Sequence, residues 1–147
     1  MKPVRIERTH LSEVAELEAL CFSEPWSEKS LELLLGETAT GFVCVREGRV
    51  LAYGGMLIVP DEGQITNVAV HPDARRGGLG RAIVDAMIDE ARARGLEQIS
   101  LEVRVSNLAA IALYERAGFT VEGRRKGFYR RPVEDALVML KKCNKTL

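Results

Sequence analysis

The chain carries 147 residues, and its 21 Lys plus Arg balance its 21 Asp plus Glu, so no net charge draws it to nucleic acid or to a membrane surface. With 46% hydrophobic and 29% charged residues it reads as one ordinary globular domain over 1–147, and no apolar run reaches membrane-spanning length. Cys21, Cys44 and Cys143 are scattered and odd in number; they form neither a metal-ligand spacing nor a disulfide framework, which points to a reducing, cytoplasmic setting without a metal.

Val4-Arg5-Ile6-Glu7-Arg8 alternates and reads as a first strand. Thr9 is placed to cap a helix through about Phe22, with Leu11, Val14, Leu17, Ala19, Leu20 and Cys21 on its apolar side. Pro25 interrupts that helix, and Ser27 caps a second one, Glu28–Leu35, stopped by Gly36. Trp26, the single tryptophan, sits on the elbow between the two, either as a packing anchor or as a ligand contact. Cys21 and Cys44 fall in apolar patterns and read as core filler. Gly41–Arg46 and Arg49–Val59 are two strands joined at Glu47-Gly48, and Pro60–Gly63 turns the chain into a third, Ile65–Val70.

The stretch that follows carries the most information. Leu79, Ile83, Val84, Met87, Ile88 and Ala91 make one apolar face of a helix that ends at Arg94-Gly95. Before it stands Arg75-Arg76-Gly77-Gly78-Leu79-Gly80. Glycines at a helix start leave its first N–H groups bare, and the helix dipole is positive there, so the turn suits an anion such as a diphosphate. The same glycines also fit a plain tight turn that needs unusual backbone angles.

Ile99–Val105 is the next strand, with Leu101, Val103 and Val105 on one face and Ser100, Glu102 and Arg104 on the other. It follows a crossover helix, so it is expected to run parallel to Ile65–Val70, and ligands bind at the carboxyl ends of such strands. A carboxylate desolvated there becomes a better proton acceptor, although a strand with one polar face explains Glu102 equally. Asn107 caps a helix to Arg116 with Gly118 as its stop, and Tyr114 lies two turns along on nearly the same side, as a core tyrosine or as a partner of Glu102. Phe119–Leu140 reads as two strands around a basic connection, and Lys141, Lys142 and Lys145 as a frayed tail. The order of elements implies an α/β (α+β) fold, a central mixed sheet with helices on both faces.

On these residues the chain resembles the GCN5-related N-acetyltransferases (GNAT). The turn matches that family's Arg/Gln-x-x-Gly-x-Gly/Ala signature, and Asn107-x-x-Ala110-x-x-Leu113-Tyr114-Glu115-x-x-Gly118-Phe119 matches its second common segment. Pro25-Trp26-Ser27-Glu28, Asn67-Val68-Ala69-Val70, Leu101-Glu102-Val103-Arg104-x-Ser106-Asn107 and Glu134-Asp135-Ala136 are similar to its RimI type, which acetylates the N-terminal alanine of a small-subunit ribosomal protein. The resemblance implies acetyl-CoA as cosubstrate, and a protein N-terminus as acceptor, with no need for nucleic acid or membrane. It implies that Val68, Ala69 and Val70 offer main-chain groups to the pantetheine and thioester. Arg76, Gly77, Gly78, Leu79, Gly80 and Arg81 would hold the pyrophosphate, with Asn107 and Tyr114 also touching the cosubstrate. Glu102 would be the general base, Tyr114 the general acid and Tyr129 an acceptor contact.

Other readings are weaker. A dinucleotide-binding unit needs a small residue where Ile83 stands and a second half that 147 residues do not supply. A non-catalytic acyl-CoA sensor has no use for both Glu102 and Tyr114. Acetylation of lysine side chains or small amines stays open, although an ordinary lysine pKa of about 10.4 demands more of the base.

Overall fold

The computed structural model describes residues 1–143. Seven strands form one sheet in the order β1 (Val4–Arg5), β2 (Ala39–Arg46), β3 (Arg49–Val59), β4 (Glu62–Val70), β5 (Gln98–Arg104), β7 (Val133–Lys142), β6 (Thr120–Arg130). Every neighbouring pair is antiparallel except β4 and β5, which are joined by the crossover helix α3 (Leu79–Ala93).

Successive strand residues point to opposite faces, so β2 and β3 feed two cores. Phe42, Cys44, Ala52 and Met56 pack with Ile83, Val84 and Met87 of α3 and with Tyr114 of α4 (Leu108–Arg116). Val43 and Tyr53 pack on the other face with Val14 and Leu17 of α1 (Leu11–Cys21) and Leu31 of α2 (Glu28–Leu31). All six apolar residues expected to line α3 are buried, and Gly95 follows it at φ 74°. Among the described residues no helix is long and apolar enough to cross a membrane.

Local boundaries differ from the sequence reading in several places. Only Val4 and Arg5 pair as a strand, and Arg8–His10 forms a short 3₁₀ turn, so Thr9 is not the cap of α1. The Glu7 N–H donates to His10 Nδ1 (2.9 Å), and that contact closes the turn which Thr9 was expected to open. Ala19 and Leu20 point to solvent, while Glu18 occupies the buried position on α1. Ser27 does cap α2, accepting from the Ser30 N–H at 3.1 Å, but the expected helix tightens to 3₁₀ over Glu32–Leu35. The basic residues from Arg124 to Arg130 lie within β6, and Arg131-Pro132 alone connects it to β7. An edge strand tolerates such charge because one side of its ladder meets water. Lys141 and Lys142 belong to β7 and are not a tail; Lys145 lies outside the described residues.

One irregularity positions the site. The register between β3 and β4 shifts between Gly54 and Met56, so that Thr66 and Asn67 stand opposite Gly55 alone. Such a bulge bends its strand and increases the twist. A side chain at position 55 would meet Thr66 Oγ1 at 2.7 Å, which is why glycine stands there. Past the bend, β4 leaves β5: their pairing covers only Glu62–Gln98, Gly63–Ile99 and Gln64–Ser100. Glu62 fastens this short pairing by accepting from Gln64 (3.0 Å), Gln98 (2.5 Å) and Ser100 (3.0 Å).

Candidate active site

The parted strands enclose a cleft of about 520 Å³, walled by Ile65–Val68 of β4 and Leu101–Arg104 of β5. The α1–α2 loop, the start of α4 and the β6–β7 turn complete its lining, with Asn107, Tyr114 and Tyr129 among the residues that reach it. Residues the sequence treats as candidates therefore converge on one space.

The polar face of β5 has three members in this region. Ser100 is spent on Glu62, and Arg104 on Glu134 (3.1 Å), which leaves Glu102 between them facing the cleft. Its side chain keeps 33% of its surface, and Arg125 Nε lies 3.3 Å from Oε2. The deep burial expected of this carboxylate is thus only partial, because the separated β4 uncovers it. An accessible carboxylate can exchange protons with a substrate or a water in the cleft.

Tyr114 is 6% exposed, and its ring meets Phe119 edge-on at 5.7 Å between centroids. Its hydroxyl has no hydrogen bond within the described residues, yet no buried side-chain polar atom there lacks a partner. The hydroxyl must therefore reach the cleft that the residue lines. Burial, and then Tyr129 nearby, push the phenol pKa upward, so it stays protonated and keeps a proton to donate. Burial, followed by the charge of Glu102, likewise pushes Tyr129 up to about 12. Asn107 caps α4, its Oδ1 accepting from the Ala110 N–H at 3.1 Å, and so anchors the helix that carries Tyr114.

Val68, which lines the cleft, and Val70 beyond it both turn their main chain away from β3. The His71 N–H donates to the Leu51 carbonyl (2.7 Å), so in this antiparallel register His71 and Ala69 bond to β3. The alternate residues Val68 and Val70 then direct their N–H and C=O groups to the edge that β5 has vacated. Ala69 turns its main chain to β3 and buries its side chain against α1 and α2. The Val70 carbonyl also accepts from Arg75 Nε at 3.2 Å, which ties the strand end to the glycine turn.

That turn begins α3 with Gly78 at φ 80°, a conformation that favours glycine. No side chain caps the helix and no acid lies in its first turn, so its leading N–H groups remain available. A side chain at Gly78 would project into open space and one at Gly77 would only touch the Ala74 carbonyl (3.6 Å), whereas Gly80 fits closely against Leu113 of α4 and Val70 of β4. The turn thus opens beside the cleft, and its geometry and charge fit a diphosphate. Arg76 is exposed, and Arg81 pairs with Asp85 at 2.9 Å.

Residues outside the sequence candidates also build the site. Glu18 is 0% exposed and accepts from the Trp26 N–H (2.9 Å), Asn67 Nδ2 (2.8 Å) and the Tyr53 hydroxyl. It joins α1, the loop after it, β3 and the bulge of β4. Its signal lay in the helical spacing, since a carboxylate falls on the stripe of Val14, Leu17 and Cys21. Trp26 is half-buried against that core and also lines the cleft, so packing and access to a ligand coexist. Cys21 likewise packs against that core and lines the cleft.

Comparison with known proteins gives matches over nearly the whole chain. The pattern of the family described as acetyltransferase (GNAT) fits residues 11–119. The chain is 40% identical to the ribosomal protein bS18-alanine N-acetyltransferase of Escherichia coli K12, over 91% of this chain and 92% of that one. It is 37% identical to a putative ribosomal protein bS18-alanine N-acetyltransferase of Bacillus subtilis 168, over 88% and 87% of the two chains. The crystal structure of the Escherichia coli ribosomal-protein-S18-alanine N-acetyltransferase superposes with a TM-score of 0.90 at 36% identity, covering 99% of this chain and 96% of that one.

Proposed function

The chain belongs to the GNAT acetyltransferase family, and from that premise we propose that it acetylates the N-terminal α-amine of a protein, the alanine of ribosomal protein bS18 foremost. It is an acetyl-CoA-dependent N-acetyltransferase. The observation that carries the finer reading is the cleft between β4 and β5. It offers an accessible carboxylate and a protonated phenol in one space, bordered by two segments that can receive a polypeptide end. A ribosomal acceptor also places the reaction in the cytoplasm.

Acetyl-CoA supplies the acetyl group as a thioester. The bare N–H groups at the start of α3, with Arg76, bind and orient its diphosphate, and the Val68 and Val70 main chain aligns the arm leading to the cleft. Glu102 takes a proton from the incoming ammonium, directly or through one water. An α-ammonium has an ordinary pKa of about 7.7–8.0, so a carboxylate of modest basicity suffices. Tyr114 holds the proton that the departing sulfur requires, and the Val70 N–H can polarise a carbonyl placed beside it.

Glu102→Gln should lower the rate about tenfold near pH 7, where roughly one α-amine in ten is already neutral. The deficit should shrink as pH rises through 8 and more of the amine deprotonates without help. A pH–rate comparison of the two proteins checks this, and a deficit independent of pH would remove Glu102 as the base.

The acceptor reading is tested by thiol release from acetyl-CoA with two peptides. One begins with a free Ala followed by Arg; the other has a blocked N-terminus and an internal Lys. Release with the first alone is expected. Release with the second alone would transfer the activity to lysine side chains.

A further inference from the structure

We propose that Arg104 is a positioning residue for the acceptor: its guanidinium binds together the two segments bordering the cleft and thereby sets the width of the acceptor entrance. This rests on the cleft being the place where the acceptor amine meets Glu102. Arg104 follows Glu102 on the same face of β5 and has 22% of its side chain exposed. Nη1 donates to the Pro132 carbonyl (3.0 Å) and to Glu134 Oε1 (3.1 Å). Nη2 donates to the Arg131 carbonyl (3.0 Å) and to Ser23 Oγ (3.3 Å). Ser23 in turn donates to the Arg131 carbonyl. The guanidinium carbon also lies 4.3 Å from the centroid of the Tyr129 ring.

One side chain thus joins the β6–β7 turn to the α1–α2 loop and supports the aromatic ring between them. Glu134 extends the linkage, since its other oxygen accepts from the Ser106 N–H at 2.8 Å, immediately before the cap of α4. Only the planar five-donor fork of arginine can serve two carbonyls, a hydroxyl and a carboxylate while lying on a ring. Lysine retains the charge facing Glu134 but cannot span the remaining partners.

The test follows steady-state kinetics with whichever of the two peptides the wild type consumes, so an unexpected acceptor would overturn the proposed function while leaving Arg104 measurable. Arg104→Lys should raise the acceptor KM about tenfold, as expected for one or two lost charge-assisted hydrogen bonds, with kcat within about twofold. Its calorimetric Kd for acetyl-CoA and its Tm should stay close to wild type. Ser23→Ala removes only the exposed loop-side link, and should raise the acceptor KM about threefold with the fold intact. In the double variant the two effects should fall short of multiplying, because both residues act on the same carbonyl. An unchanged acceptor KM in both single variants would overturn the proposal. So would a fall in kcat alone, or a loss of acetyl-CoA affinity in parallel with Tm, which would indicate a catalytic or a general structural role.

Discussion

Replacing Tyr114 with phenylalanine is expected to lower kcat about a hundredfold while the Kd for acetyl-CoA stays within about twofold. The substitution removes one oxygen from a side chain whose ring is otherwise enclosed and packed edge-on against Phe119. Ring packing survives, and the proton donor is lost. General acids contribute about 10² to 10⁴ to rate, and the lower end applies because a thiolate, with an ordinary pKa near 8.5, leaves more readily than an alkoxide. Burial keeps the phenol protonated, so Tyr114 should introduce no fall in rate on the alkaline side up to about pH 10. Single-turnover rates alongside calorimetry separate the two effects. Equal losses in cosubstrate affinity and rate would make Tyr114 a binding group instead.

Glu18→Ala is expected to cost about 3 kcal/mol of folding stability, which for a chain of this size is roughly 10 °C in Tm. The carboxylate is fully enclosed, and its three donors come from a loop, a neighbouring strand and the bulge. Deleting it leaves the Tyr53 hydroxyl, the Asn67 amide and the Trp26 N–H without their acceptor. The loss is smaller than three separate penalties because the desolvation cost of the carboxylate disappears with it. Urea titration and thermal unfolding measure the change. A cost below about 1 kcal/mol would mean that water replaces the carboxylate without loss.

Elements whose signals are local were legible in the sequence. The stripe on α3 with Gly95 after it, the Ser27 and Asn107 caps, and the turn at Glu47-Gly48 each depend on a few adjacent residues. The convergence of Glu102, Asn107 and Tyr114 followed from a strand–loop–helix unit of known rise and pitch. The separation of β4 from β5 did not, because it arises where two residues of one strand oppose a single glycine of another. No periodicity within β4 encodes that event. It also decides that Glu102 stays accessible and that the Val68 and Val70 main chain meets an unpaired edge while that of Ala69 bonds to β3. The charged segment in β6 misled for a related reason: pattern rules read dense charge as a connection, whereas an edge strand carries it comfortably. Arg104 looked like one polar residue among three on its strand, and its partners come from 27 to 81 residues away.

The two margins of the sheet bear on how the protein behaves in a crowded solution. One margin is β1, only two residues long, and the other is β6, whose exposed residues include Arg124, Lys126 and Arg130. Between Arg125 and Tyr129 the ladder to β7 slips, and Gly127 bends inward to donate to Asp135 at 2.8 Å. A strand from another copy would find too little length at the first margin, and like charges with an uneven row of amides at the second. Growth of the sheet from molecule to molecule is thereby disfavoured at both ends.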